Sequence, residues 1–345
     1  MTTTTSTAHR IARQRLTAPD CLLYFPVDFP VIMRRAFRII RPAAVCLVEC
    51  ELWPNLIRCC AERSCPLALV NGRISPNSFA GYRLLRSCTR RLLPCFAWCG
   101  VQSESDRQRL VHLGAHPERT VVTGSVKYEV EPRDPAAEER VGAWLAVAGF
   151  GPETSMVLGG STWAGEELVL ARWYQQEQRK RSDLRLVLVP RHAERANEVQ
   201  AELQRLGLQV ARRSQWDVWP AGQQADVLLI DTTGELRHFY AHADLIFVGK
   251  SLTQHGGQNM IEPAAYGKPV IVGPNMENFA LSMEEFKAVN AIVQVSSAME
   301  LERVLSEWIA DPGRREALGA RAAQHVARKA GAIQATLDQV WPLLD

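Results

Sequence analysis

Short apolar runs alternate with longer segments of helical period along this chain, the pattern of parallel sheets covered on both faces by helices. A first series of runs, DCLLYFPVD, AAVCLVE, PLALVNG, WCGVQS and TVVTGS, predicts the strands of one sheet. A second series, SMVLGGS, LRLVLVPR, ADVLLIDT, ADLIFVGKS, KPVIVGP and AIVQVS, predicts another. Between them lies KYEVEPRDPAAEER, polar and carrying two prolines, where a domain boundary is expected. The simplest account is two doubly wound α/β domains, residues 1–130 and 131–345, the second ending in helices.

Composition agrees. A chain of 345 residues exceeds what one core usually holds, and 47% hydrophobic residues with a net charge of only +3 describe a soluble globular protein. Nucleic acid is not expected among its partners. No apolar run is long enough for a spanning helix, and MTTTTSTAHR lacks the charged and apolar regions of a signal peptide. Nine cysteines fall between Cys21 and Cys99 without a CxxC pair, in runs such as AAVCLVEC and PCFAWCG. They read as small buried hydrophobes in a reducing cytosol. No His, Cys and Asp cluster has metal-ligand spacing, so neither a metal nor a cofactor is expected.

Ligands of open parallel sheets sit beyond the carboxyl ends of the strands, which directs attention to the residues after each run. LVLVPRH delivers Arg191 and His192, and LLIDTTGEL delivers Thr233, Gly234 and Glu235. IFVGKSLTQHGGQNMIEPAAYGKPVIVGP delivers Gly256 and Gly257, where backbone can approach a ligand, and then a helix expected from about Asn259. Glu262 is placed to accept hydrogen bonds from a ribose diol, Arg191 to pair with phosphate, and Gly267 and Pro269 to end the helix. Three such strand ends predict a nucleotide site.

Further blocks narrow this. VECELWPNLI, LALVNGRISPNSFAGY, VTGSVKYEV, GGSTWAGEE, LVPRHAERA, DTTGELRHFYAHADLIFVGKSL and GGQNMIEPAAYGKPVIVGPNMENF stand in collinear order between Val48 and Phe279. Together they resemble the 3-deoxy-D-manno-octulosonic acid (Kdo) transferases, a resemblance that runs from Thr2 to about Phe279. The resemblance implies the GT-B glycosyltransferase fold, with two Rossmann-like domains facing a cleft, and inverting transfer of Kdo from CMP-Kdo to the lipid A precursor in lipopolysaccharide core biosynthesis. By motif match, Pro190, Arg191, Thr233, Gly234, Glu235, Asn259, Met260, Ile261 and Glu262 would hold CMP. Glu49 and Lys127 fall at the family's transition-state-stabilising positions, where opposite charges suit a sugar cation and a departing phosphate. Glu51 is expected instead to cap the helix beginning near Trp53. Four positions depart from the commoner pattern: Trp163 and Ala164 replace His and Glu, Lys250 a glycine, and Gln258 a histidine. UDP-sugar transferases and epimerases share such a donor pocket, and a non-enzymatic binder is the remaining alternative.

The acceptor would be an anionic lipid, which implies a peripheral protein on the cytoplasmic face of the inner membrane. FAGYRLLRSCTRRLLPCF places Arg83, Arg86, Arg90 and Arg91 among leucines, either as a basic amphipathic helix on anionic headgroups or as a core-facing helix with a solvated basic face. MRRAFRIIRP is a weaker second patch. The opening MTTTTSTAHR aligns with a family strand so that Met1 replaces its valine. The resemblance therefore implies a first domain lacking its first βα unit and the glutamate that acts as general base. A reading frame opened too late is preferred, because the donor motifs are intact; the alternative is a short, catalytically impaired binder of CMP-sugar or lipid A.

Overall fold

The computed structural model describes residues 1–151, 153–220 and 223–344. It divides into two compact units, Met1–Glu129 with Ala330–Asp345, and Val130–Lys329.

The second unit is built on seven parallel strands: β7 (Ser155–Thr162), β8 (Leu184–Pro190), β9 (Val210–Arg212), β10 (Val227–Leu229), β11 (Leu245–Val248), β12 (Val270–Val272) and β13 (Val293–Gln294). Their order is β13-β12-β11-β7-β8-β10-β9. Every residue of β8 is buried, as its unbroken apolar run requires of a central strand covered on both faces. One of those faces packs on the helices Glu166–Glu177 and Ala298–Ile309 through Leu170, Trp173, Tyr174, Leu305 and Trp308. Gly159 allows this approach, since a Cβ there would stand 2.6 Å from the Leu170 side chain. Six of the seven strands lie in the predicted runs. The seventh, β9, is an edge strand of three residues ending in arginine, too short to show a period.

The first unit contains a four-stranded parallel sheet, β3 (Val45–Val48), β4 (Leu67–Gly72), β5 (Trp98–Val101) and β6 (Thr120–Val122). A separate parallel pair joins β1 (Thr2–Thr3) to β2 (Leu23–Tyr24). The chain thus opens in a strand, as the alignment of its threonines implies, whereas DCLLYFPVD keeps only two residues of strand. The nine cysteines are all free thiols, but only Cys59, Cys60 and Cys99 are buried. Cys46 is exposed because β3 is an edge strand whose alternate residues, Cys46 and Val48, face outward.

Two expectations need correction. The last residues return to the first unit: Gly331 N and Ile333 N, opening the helix Ala332–Val340, donate to Glu129 Oε1 at 2.7 and 3.2 Å. A carboxylate thus satisfies free N–H groups at that helix start. Nor does Glu51 cap the helix Pro54–Glu62; it accepts from Trp53 Nε1 at 3.2 Å. Asp28 takes the capping role from outside the helix, accepting from Asn55 N at 3.0 Å and Leu56 N at 2.9 Å. Among the described residues no helix is long and apolar enough to cross a membrane.

Candidate functional site

Three predicted strand ends lie along the carboxyl edge of the second sheet. β8 ends at buried Pro190, and Arg191 N donates to Thr162 O at 3.0 Å, leaving the Arg191 and His192 side chains exposed. His192 meets Trp163 edge to face at 5.1 Å, and Lys250 Nζ lies 4.9 Å from the Trp163 ring centroid. These contacts join the loops after β7, β8 and β11. Beyond β10, Thr233 and Gly234 are exposed, Gly234 with φ +92°. The Glu235 carboxylate is already engaged, paired with Arg213 at 3.0 Å and accepting from the Thr232 hydroxyl.

The glycine-rich loop differs from expectation in its reason. Gly256 and Gly257 are buried, with φ +106° and +69°. A Cβ at either would meet this chain's own Asn278 Nδ2 at 2.6 Å or Met276 Sδ at 2.4 Å. The glycines therefore let the loop pack on residues 276–278 rather than open a path to a ligand. The helix that follows is also later and shorter than expected, Ile261–Ala265, and Asn259 Oδ1 takes the Ile261 N–H at 3.0 Å. Five residues make a small dipole, so this helix start is a weaker anion site than a full helix would be. Met260 and Ile261 are wholly buried, so only their main chain is available to a ligand. Glu262 is half-buried; desolvation raises its pKa, opposed by the nearby Arg237 cation and reinforced by Glu131. Arg237 is itself held by Glu131 and by Pro132 O at 3.1 Å.

The organiser of this edge escaped sequence reasoning. Glu166 is fully buried, and its carboxylate accepts from Trp163 N (2.8 Å), Lys250 N (2.9 Å), Ser251 N (3.1 Å), Leu252 N (2.9 Å) and, more weakly, Thr253 N (3.4 Å). One charge-assisted acceptor thus shapes the loops after both β7 and β11. A glutamate pair opening a helix looks like ordinary first-turn acid, and nothing local marks it as the acceptor for N–H groups far along the chain.

In the first unit, Glu49 follows β3 with φ +60°, a conformation costing a non-glycine residue about 1–2 kcal/mol. Its N–H donates to Val70 O at 2.8 Å. Lys127 lies in the short 3-10 turn Val126–Tyr128. Its pKa is lowered by desolvation and then by the Arg73 cation, and raised by Glu49. Glu49, Arg73 and Lys127 therefore share one electrostatic site at the strand ends. Asn71, buried with φ +55°, anchors it by accepting from Val126 N at 3.2 Å through Oδ1. Asn71 and Arg73 lie in NGRIS, whose polar residues at and just past the end of β4 were the available signal. Among the described residues, no group of three or more His, Cys, Asp or Glu is placed to hold a metal ion.

Similarity to known proteins assigns these features to a family. A family model described as 3-deoxy-D-manno-octulosonic-acid transferase matches residues 1–130, and one described as glycosyl transferases group 1 matches 219–325. A 3-deoxy-D-manno-octulosonic acid transferase of Bordetella pertussis is 36% identical over 91% of this chain and 72% of its own length. The chain belongs to the 3-deoxy-D-manno-octulosonic acid transferase family. A Haemophilus influenzae transferase of the same name is 29% identical over 100% of this chain and 80% of its own. The crystal structure of the C-terminal CMP-Kdo binding domain of WaaA from Acinetobacter baumannii superposes with a TM-score of 0.52 at 29% identity, covering 56% of this chain and 99% of that domain. Anabaena Alr3699/HepE in complex with UDP matches 93% of this chain and 85% of its own with a TM-score of 0.54 at 13% identity, a likeness of fold alone. This Kdo transferase family member is thus a glycosyltransferase with the GT-B fold.

Its basic surface is more broken than one amphipathic helix. Pro76–Leu84 and Arg86–Leu92 are separate helices divided at Leu85, whose ψ of +27° is not helical. Arg83, Arg86, Arg90 and Arg91 are all exposed, and Leu84 and Leu85 are 88% and 60% exposed. In MRRAFRIIRP the helix Pro30–Ile40 buries only Met33 and Phe37, leaving Val31, Ile39 and Ile40 beside Arg34, Arg35 and Arg38 at the surface.

Proposed function

We propose that this chain transfers Kdo from CMP-Kdo to the lipid A precursor, with inversion at the anomeric carbon and without a metal ion. The observation that carries the reading is the likeness of the second unit to a CMP-Kdo binding domain, matched over 99% of that domain. The residues suit such a donor. Arg191 supplies charge for the phosphate, the main chain of residues 259–262 supplies hydrogen bonds, and the Glu262 carboxylate accepts from the ribose diol. In the first unit Glu49, Arg73 and Lys127 gather opposite charges of the kind that a developing sugar cation and a departing phosphate need. Exposed arginines and apolar side chains of the helices Pro30–Ile40, Pro76–Leu84 and Arg86–Leu92 suit an anionic lipid surface, and so a peripheral place on the inner membrane.

Calorimetry with CMP and UDP on the full chain tests the donor, and Kdo transfer to lipid A precursor in vesicles tests the reaction. CMP is expected to bind more tightly; tighter UDP binding overturns the assignment. CMP binding without transfer would support the impaired binder. Glu262→Ala is expected to weaken CMP more than about tenfold, a loss suited to a charge-assisted hydrogen bond. Burial raises the Glu262 pKa, so its charged form fails at a higher pH than an ordinary carboxyl when acid is added. CMP affinity should therefore fall as pH drops toward that raised pKa, and Glu262→Gln should flatten the fall. Lys127→Ala should reduce turnover while leaving CMP affinity nearly unchanged.

A further inference from the structure

Lys250 stands just beyond β11, after Gly249, with its backbone in the left-handed region, φ +56°, where a side chain is strained. The bend itself does not need a lysine. Its N–H donates to the buried Glu166 Oε2 at 2.9 Å and its carbonyl accepts from Gly257 N at 3.0 Å, bonds that a glycine would make without strain. The side chain turns back over the carboxyl edge of the sheet. Its ammonium lies 4.9 Å from the Trp163 ring centroid and 3.7 Å from the point where a Cβ on Gly256 would stand. The indole face steadies the cation, and Trp163 is braced in turn by His192, the neighbour of Arg191. A strained residue whose cation is held between the glycine loop and the Trp163 indole calls for a use at that place.

We propose that Lys250 is a specificity-determining residue of the donor site, pairing with the sugar carboxylate of a nucleotide-linked ulosonic acid while Arg191 pairs with the phosphate. This rests on the donor reading above. In such a donor the carboxylate and the phosphate oxygen are bonded to the same anomeric carbon. Two anions so close call for two cations nearby, and Lys250 lies over Trp163, whose other neighbour, His192, directly follows Arg191 in the chain. A sugar without a carboxylate would leave the Lys250 ammonium with no anion to meet, which disfavours neutral sugar donors.

The test uses the full chain and three probes: CMP, a CMP-linked ulosonic acid, and the same compound with its carboxylate converted to an amide. Wild type should bind the acid at least about tenfold more tightly than the amide, as expected for a charge-assisted pair. Lys250→Gln should abolish that difference while leaving CMP affinity within about twofold, and Lys250→Arg should keep most of it. Lys250→Gly, free of backbone strain, should raise the melting temperature while losing the discrimination, which separates a functional from a structural role. An acid-to-amide ratio unchanged in Lys250→Gln overturns the proposal, as does an equal loss for CMP, which would place Lys250 on the phosphate. Wild-type protein that binds no CMP at all brings down the donor reading itself, a result distinct from both.

Discussion

The two units apply one βα plan with opposite success at their edges. The second carries seven strands in one sheet, and its loops are fastened by buried or nearly buried acids: Glu166 under residues 250–253, Glu167 paired with Arg195 at 2.9 Å, and Asp231 paired with Arg212 at 2.7 Å. The first carries four strands and a detached pair, and leaves Val27, Phe29, Val31, Ile39 and Val48 each more than half exposed. A nucleotide site needs rigid loops, which the internal carboxylates supply. The lipid-facing surface proposed above needs apolar and basic groups facing out, and there the same density of burial would defeat the purpose.

The largest effect should come from stripping that outer surface. Replacing Arg83, Arg86, Arg90 and Arg91 together by glutamine is expected to weaken binding to anionic vesicles by roughly 4 kcal/mol, at about 1 kcal/mol per arginine near the membrane surface. Sedimentation with phosphatidylglycerol vesicles at low and high salt measures it; unchanged binding would leave these helices as ordinary solvated faces. Next comes the inner fastening. Glu166→Ala leaves its buried N–H donors to find water and should cost the second unit about 3 kcal/mol in urea unfolding. A loss below about 1 kcal/mol would mean the loops hold themselves. In the first unit, Asp28→Ala removes a cap from the helix Pro54–Glu62 and should cost about 1 kcal/mol. If that cost equalled the one for Glu166, the contrast between the units would fail.

How much of this was legible follows from the range of the interactions. Strands such as LRLVLVP announce themselves because burial on both faces leaves an unbroken apolar run, and the loops after them follow from the parallel topology. β9 was hidden because an edge strand of three residues ending in arginine shows no pattern. Asp28, Glu129 and Glu166 were hidden for a different reason. Each acts on N–H groups far along the chain, 27 or 28 residues away for Asp28, 202 or 204 for Glu129 and up to 87 for Glu166. Glu51 misled because proximity in sequence made it the obvious cap, while Trp53 Nε1 claimed it. The strand ends could be read; which acids hold the loops there could not.

The smallest effect sharpens the contrast at its finest point, the fastening of the glycine loop from outside. Glu277 accepts from His255 Nδ1 at 2.9 Å and from Gly256 N at 2.7 Å. The hydrogen bond from His255 leads the causes that lower its pKa to about 2, with the Gly256 N–H adding to it. A depressed carboxyl contributes stability that is present above its unfolded pKa and is lost as pH falls through the folded one. The Gly256 amide resonance should therefore hold its native shift through the range where ordinary glutamates protonate, about pH 4.3, and move with a midpoint near 2. The pair is solvent-exposed, so Glu277→Gln should leave global stability close to that of the wild type, and salt should weaken the pair further. A midpoint in the ordinary range would show that the loop is fastened from inside alone, by Glu166 and the packing of its glycines on Met276 and Asn278.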